Sequence, residues 1–234
     1  RSIQCSDEIM CKSVTLYGHL TVDRILVGFK ETPSLGGIAN VWSGLVSQGQ
    51  GLNVSIQPLS IGHALVLVDK ENNYRVGRCS FNVKENPASP TDDYWHHISY
   101  INQLSDTSFI SKLKGIVSAD ITKENPERCI DQLQYLDYLF IAKEDLFMDI
   151  LELGKKVKGC VIMHDPHGSS ISDGDTVDDY SLPEELFLSD INVLGAGDYF
   201  ASGFIRSMIK GNELKESVVK AHNIATNLLK ENLL

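Results

Sequence analysis

Asn192-Val193-Leu194-Gly195-Ala196-Gly197-Asp198-Tyr199-Phe200-Ala201-Ser202-Gly203-Phe204 joins a strand-like run, Leu186 to Val193, to a helical pattern. In that pattern Phe200, Phe204, Ile205, Met208 and Ile209 recur on one face. Two glycines let the backbone approach a ligand closely and take dihedrals that other residues avoid. The first amides of a helix lack internal partners, and the dipole behind them attracts an anion. A carboxylate at that place opposes anion binding if it is only a counter-charge. As a base that takes a proton from a hydroxyl attacking phosphorus, Asp198 fits. Three other readings stand beside this one: a plain strand-to-helix turn capped by Asp198, a dinucleotide loop, and a methyltransferase-like glycine loop. Gly-x-Gly-x-x-Gly fails, because Phe200 stands where the third glycine belongs. The methyltransferase arrangement needs most of a sheet downstream, and the loop lies close to Leu234. No Gly-x-x-x-x-Gly-Lys-Ser/Thr occurs, which excludes a P-loop nucleotidase. On these residues alone the plain turn stays open.

Outward from the loop, the composition is that of a globular protein. The 234 residues are 42% hydrophobic and 22% charged, enough to bury a sizeable core. No apolar run approaches the roughly 18 residues that cross a bilayer, so no membrane span is expected. The opening Arg1-Ser2-Ile3-Gln4-Cys5 carries no signal-peptide pattern. Against 31 acidic residues stand 21 Lys and Arg. The resulting field repels phosphate backbones, so nucleic acid is not an expected partner. Cys5, Cys11, Cys79, Cys129 and Cys160 are widely spaced and form no Cys-x-x-Cys. They read as free thiols in a reducing compartment, which makes the cytoplasm the expected location. His164-x-x-His167 reads as incidental, and no metal ligation by protein side chains is expected. His96-His97 reads as a loop pair, and the charges from Glu144 to Lys158 as a solvated helix face.

The first third of the chain is strand-rich. Val14 to Tyr17, Arg24 to Phe29, Val54 to Leu59, Ala64 to Val68 and Tyr74 to Phe81 are β-prone, and Glu71-Asn72-Asn73 suits a hairpin turn between the last two. Between them Ile38, Val41, Trp42, Leu45 and Val46 predict a helix that Gly49-Gln50-Gly51 ends. After a loop at Asn86 to Asp93, strands and helices alternate. Strands are expected at Ile98 to Ile101, Gly115 to Ala119, Tyr138 to Ala142 and Cys160 to Met163. Helices are expected at Asp106 to Leu113, Pro126 to Leu136, Glu144 to Val157, Asp198 to Ile209 and Glu213 to Lys230, and turns from His167 to Asp179. Such alternation predicts an α/β, Rossmann-like three-layer sandwich around a mostly parallel sheet. Residues 1–234 read as one domain, with a small β lid drawn from about 20–32 and 62–84.

Two further stretches complete a pattern. Gly18-His19-Leu20-Thr21-Val22-Asp23-Arg24-Ile25 looks like a first strand carrying a sugar-contacting Asp. Leu35-Gly36-Gly37-Ile38-Ala39-Asn40-Val41-Trp42-Ser43-Gly44-Leu45 is similar to a Gly-Gly-x-x-x-Asn signature. With Gly195-Ala196-Gly197-Asp198 in its C-terminal place, the chain from about Val14 to Leu229 resembles the ribokinase/pfkB carbohydrate kinase family. The resemblance implies a ribokinase-like fold and ATP-dependent phosphoryl transfer to a hydroxyl of a sugar or nucleoside. It makes Asp198 the base and the amides of Gly195, Ala196 and Gly197 the anion hole. Asp23, Gly36, Gly37 and Asn40 would hold the sugar, and Mg²⁺ would bridge the phosphates of ATP. Asn192 and Asp145 would lie on the nucleotide side.

The sequence also departs from the family. Asn192-Val193 stands where Asp-Thr is usual, and an Asn supplies no charge for a monovalent cation. Ala142-Lys143-Glu144-Asp145 stands where Asn-x-x-Glu is usual, so a side-chain amide is missing while Asp145 keeps a carboxylate. The chain is shorter than is usual in the family, with the lid and middle units compressed. A sugar-binding or regulatory pseudokinase is therefore the alternative function. Exposed lid strands make a homodimer through the lid an expected assembly.

Overall fold

A computed structural model of the chain describes residues 12–49, 51–69, 74–81, 85–183 and 194–231. Ten strands form one sheet: β1 (Lys12–Val27), β2 (Lys30–Gly37), β3 (Leu52–Asp69), β4 (Tyr74–Phe81), β5 (Trp95–Ile98), β6 (Ile116–Ile121), β7 (Tyr138–Ala142), β8 (Cys160–Asp165), β9 (Gly168–Ser172) and β10 (Val177–Ser181). Their order is β10-β9-β8-β7-β6-β5-β1-β3-β4, with β2 also paired to β1. The run β3-β1-β5-β6-β7-β8 is parallel, and β2, β4, β9 and β10 each run antiparallel to their partners.

Alternation along the central strands divides the core into two layers. Val14 and Leu16, Phe140, and Cys160 and Ile162 face one side. There they meet α1 (Ile38–Ser47), α3 (Ala196–Ile209) and α4 (Leu214–Glu231). Tyr17, Leu139, Ile141 and Val161 face the other, against Phe109, Leu133, Leu136 and Leu153. The expected three-layer α/β sandwich is thus present, but its second layer is not built from the helices expected there. Asp106 to Leu113 holds only a 3-10 turn at Ile110–Lys112, and Pro126 to Leu136 is two 3-10 stretches. Asn125 enters the latter in the left-handed conformation, and Ile130, Leu133 and Leu136 are spaced by three, the period of a 3-10 rather than an α-helix. Glu144 to Val157 contracts to a 3-10 turn and the single-turn α2 (Ile150–Gly154), which Asp149 caps through the amides of Leu151 and Glu152.

Four other expectations need correction. The two short strands expected on each side of α1 are single long strands, β1 and β3, and the turn-rich stretch after His167 contains β9 and β10. Of the apolar residues whose spacing predicts α1, Ile38, Val41 and Leu45 are buried, while Trp42 and Val46 are exposed. His96 and His97 are no loop pair. Both are fully buried in β5, flanked by parallel β1 and β6. A central strand is covered on both faces, so these imidazoles find internal partners. His96 Nε2 lies 2.6 Å from the Lys114 carbonyl, and His97 joins Ser118 and Asp120 at 3.0 and 3.2 Å. The stretches around Glu71-Asn72-Asn73, Leu186 to Val193 and Cys5 to Cys11 lie outside the described residues.

β1 and β3 outrun the main sheet. Their register shifts between Gly18 and His19, and beyond that point β1 carries β2 on one side and β3, then β4, on the other. This distal sheet exposes Val22, Leu35, Ile61, Leu65 and Leu67 outward and buries Thr21, Asp23, Ala64 and Val66.

α1 and α3 touch so closely that a Cβ on Gly44 would come within 2.8 Å of Ser202 Cβ. Arg206, one turn beyond Ser202 and 4% exposed, donates from Nη1 to the Leu45 carbonyl at 2.8 Å and from Nη2 to the Gly49 carbonyl at 2.9 Å. Arg206→Ala would remove a buried cation and strand two helix-end carbonyls. We expect a loss of about 3 kcal/mol, read as a lower urea midpoint with unchanged slope.

Candidate active site

The contact of α1 with α3 builds the site. Asn40 is one turn before Gly44 and Asp198 one turn before Ser202, so close packing of the second pair brings the first together. Asn40 Nδ2 donates to Asp198 Oδ2 at 2.8 Å, and Tyr100 Oη, just past β5, donates to Oδ1 at 3.1 Å. Asp198 is 2% exposed. Burial, helped by the negative charge of Asp120, pushes its carboxyl up to about 7, while the hydrogen bonds of Asn40 and Tyr100 and the proximity of His97 act in the opposite direction. A carboxyl poised near neutrality at a helix start suits proton transfer.

Gly195 caps α3 in the left-handed conformation, φ 82° and ψ 3°, which favours glycine. The first helix-closing bond is Tyr199 N to the Gly195 carbonyl, 2.9 Å, and the amides before it carry the N–H groups that a helix start leaves without internal partners. A Cβ on Gly197 would sit 3.5 Å from His164 Cε1, so the loop abuts β8. His164 stacks on Phe200 with ring centroids 4.7 Å apart, and desolvation holds it below its ordinary value.

Gly36 and Gly37 lead from β2 into α1. A Cβ on Gly36 would collide with the Asp23 carboxylate and reach 2.6 Å from Thr21 Oγ1. On Gly37, at φ 62°, it would strike the His19 carbonyl. The missing side chain at Gly36 thus lets Asp23 and Thr21 pack directly on the β2 backbone just before α1. Asp23 Oδ1 is buried with no hydrogen-bond partner among the described residues. Oδ2 is the oxygen that lies against Gly36, so Oδ1 is the acceptor left over. Asp23, Gly36, Gly37, Asn40 and Asp198 therefore form a continuous chain of neighbours on one side of the sheet.

No family profile matches the chain. Solved structures do match it, over more than nine-tenths of its length. A pyrophosphate-dependent kinase in the ribokinase family, complexed with a pyrophosphate analog and myo-inositol, aligns with TM-score 0.65 and 15% identity over 93% of this chain and 95% of that one. A nucleoside kinase from Methanocaldococcus jannaschii, an archaeal member of the ribokinase family, aligns at 0.64 and 18% over 94% and 92%. Adenosine kinase from Schistosoma mansoni aligns at 0.67 and 15% over 92% and 94%. The chain has a ribokinase-like fold. The other residues singled out in the sequence can now be placed on it.

In this ribokinase-like fold Asp145 lies in the 3-10 turn after β7, its carboxylate 3.9 Å from Lys123 Nζ. Asn192 lies outside the described residues. A pocket of about 340 Å³ opens at His164, lined by Lys143, His164, Asp165, His167, Ser169 and Tyr180 among others. Lys143 Nζ bridges to Asp165 at 3.0 Å. His164-x-x-His167 therefore lines a pocket rather than standing idle, although no cluster of three metal-ligating side chains occurs among the described residues. Sequence reasoning missed Tyr100, Asp120 and His97. The signal available was an acid near the end of a mainly apolar strand, Ile116–Ile121; for Tyr100 there was none. No described helix is long and apolar enough to cross a membrane.

Proposed function

We propose that this protein is a kinase that transfers a phosphoryl group from ATP to a hydroxyl of a sugar or nucleoside, with Asp198 as base. The observation that carries this reading is the buried Asp198 carboxyl, pushed up to about 7 at the first turn of α3 and held by Asn40. The acceptor lies between Asp23 and Asp198, under the buried face of the distal sheet, which acts as a lid. Asp23 Oδ1 has no other partner among the described residues and accepts from a substrate hydroxyl. Asp198 accepts the proton of the attacking hydroxyl, and the amides of Gly195, Ala196 and Gly197 face the transferring group.

Donor chemistry fits the residues present. The pocket at His164 offers Lys143, His164, His167 and Ser169 to phosphate oxygens, beside the carboxylates of Asp165 and Asp179. Mg²⁺ that rides on phosphates and water needs one carboxylate from the protein, here Asp145. When bound, Mg²⁺ would neutralise phosphate charge. Support also comes from the fructokinase from Vibrio cholerae, which aligns over 94% of this chain with 15% identity and was solved with fructose, ADP and potassium ion.

Thermal shift tests the reading first. ATP·Mg²⁺ at a hundredfold excess over its Kd is expected to stabilise the protein by about 2.7 kcal/mol, and a true acceptor adds its own shift. Coupled ADP release over hexoses, pentoses, cyclic polyols and nucleosides then identifies the acceptor. A shift with sugar and none with ATP·Mg²⁺ would replace the kinase by a sugar-binding module.

A further inference from the structure

Tyr100 turns the chain out of β5 with φ 54° and ψ 58°. A left-handed backbone is uncommon for any residue with a Cβ and an outlier for a bulky aromatic one. Among the described residues the other non-glycine there is Asn125, a type that tolerates it. The turn is pinned from both sides: Ser99 N donates to the Tyr17 carbonyl at 2.9 Å, and Gln103 N to the Tyr100 carbonyl at 2.8 Å. Strain of this kind persists where the surroundings over-determine it, and it gathers at functional sites. Here it delivers a phenol. Tyr100 Oη donates to Asp198 Oδ1 at 3.1 Å while Asn40 donates to Oδ2 at 2.8 Å.

We infer that Tyr100 is a positioning residue for phosphoryl transfer: with Asn40 it clamps the two carboxylate oxygens of Asp198, fixing the plane in which the base meets the acceptor. This rests on the reading of Asp198 as base. One donor would leave the carboxylate free to rotate about its Cβ–Cγ bond; two donors on different oxygens do not. The clamp also opposes Asp120. The groups facing Asp198 are Asn40 from α1, His97 and Tyr100 from β5 and its exit turn, and Asp120 from β6. Across Gly197 stands His164 from β8. Asp120, 3.2 Å from His97 Nε2, favours the protonated form of Asp198 by like-charge repulsion, whereas the two donors favour the carboxylate.

Tyr100→Phe keeps the ring and deletes only the donor. A ¹³C-aspartate NMR titration of the ligand-free protein reads the result without needing turnover, with the Asp198 signal assigned by its loss in Asp198→Asn. The midpoint of Asp198 is expected to rise by about one pH unit in Tyr100→Phe and to fall in Asp120→Asn. The acid limb of kcat follows, so a deficit of about tenfold or more at pH 6 in Tyr100→Phe narrows by pH 9 to what the lost aim alone costs, with acceptor KM within about twofold of wild type. A midpoint unmoved or lowered in Tyr100→Phe overturns the clamp, as does a kcat equal to wild type at every pH. Turnover that survives Asp198→Asn sinks the base reading instead; the clamp is then judged by the NMR midpoint alone.

Discussion

Asp198→Asn is expected to lower acceptor phosphorylation by roughly 10²–10⁴-fold, the range that removal of a general base produces, and to leave a folded and more stable protein. The amide has the shape of the carboxyl and stays neutral. In the native protein Asp198 titrates near 7, whereas an unfolded Asp titrates near 3.9. Below about pH 4 the carboxyl is neutral in both states, and its full contribution to stability is present. As pH rises from there through 7, the unfolded chain gains from ionising while the native site resists, so that contribution is lost. The difference approaches about 4 kcal/mol above pH 7. Tyr100 is a hydrogen-bond donor that an amide nitrogen would not satisfy, which trims the gain to about 2 kcal/mol. Urea unfolding at pH 8 should therefore place Asp198→Asn above wild type, with the advantage gone at pH 4. Wild-type turnover in this variant would remove Asp198 from the chemistry, and lower stability at pH 8 would show that its carboxylate is better solvated than its burial implies. Stability given up for a poised base is common at active sites.

Gly36→Ala is expected to act on the other half of the cleft. The added methyl would fall 2.6 Å from both Asp23 Cγ and Thr21 Oγ1, a separation that no packing accommodates without displacing the carboxylate. β2 is paired to β1 through Thr21↔Gly36 and Asp23↔Ser34, so the backbone has little room to yield. Hydrogen bonds to a charged partner contribute about 1.5–3 kcal/mol each. Losing the aim of Asp23 should therefore raise acceptor KM by roughly 10- to 100-fold while the thermal shift given by ATP·Mg²⁺ stays that of wild type. Unchanged acceptor binding would move the sugar away from Asp23. Loss of the nucleotide shift along with acceptor binding would mean that the variant damages the fold rather than the subsite.

How much of this was legible in the sequence depends on range. α1 and α3 were legible because their apolar residues repeat at helical spacing and glycines mark their ends, signals contained within a few turns. β7 was legible to the residue, Tyr138–Ala142, since a strand buried on both faces is a short apolar run bounded by polar residues. The compressed middle layer was not. Ile130, Leu133 and Leu136 suit an α-helix almost as well as a 3-10 stretch, and the left-handed Asn125 that starts the tighter form leaves no mark in composition. His96-His97 misled for a related reason. Histidines look like loop residues until a neighbouring strand supplies Ser118 and Asp120 as partners.

By itself the sequence determined the local chemistry: a glycine pair before a helix, an acid at its first turn, and a second glycine pair ahead of an asparagine. Glycine, asparagine and aspartate carry those properties wherever they stand, so their spacing along the chain was enough. Only the tertiary structure decided that Asn40 and Asp198, 158 positions apart, share a hydrogen bond, that Asp23 packs against Gly36, and that Tyr100 closes on the same carboxylate. Those relations follow from the crossing of α1 and α3 at Gly44 and Ser202 and from the strand order, both set by packing between distant segments. The pKa of Asp198 belongs with them, because desolvation and the charge of Asp120 exist only once the sheet has assembled around it.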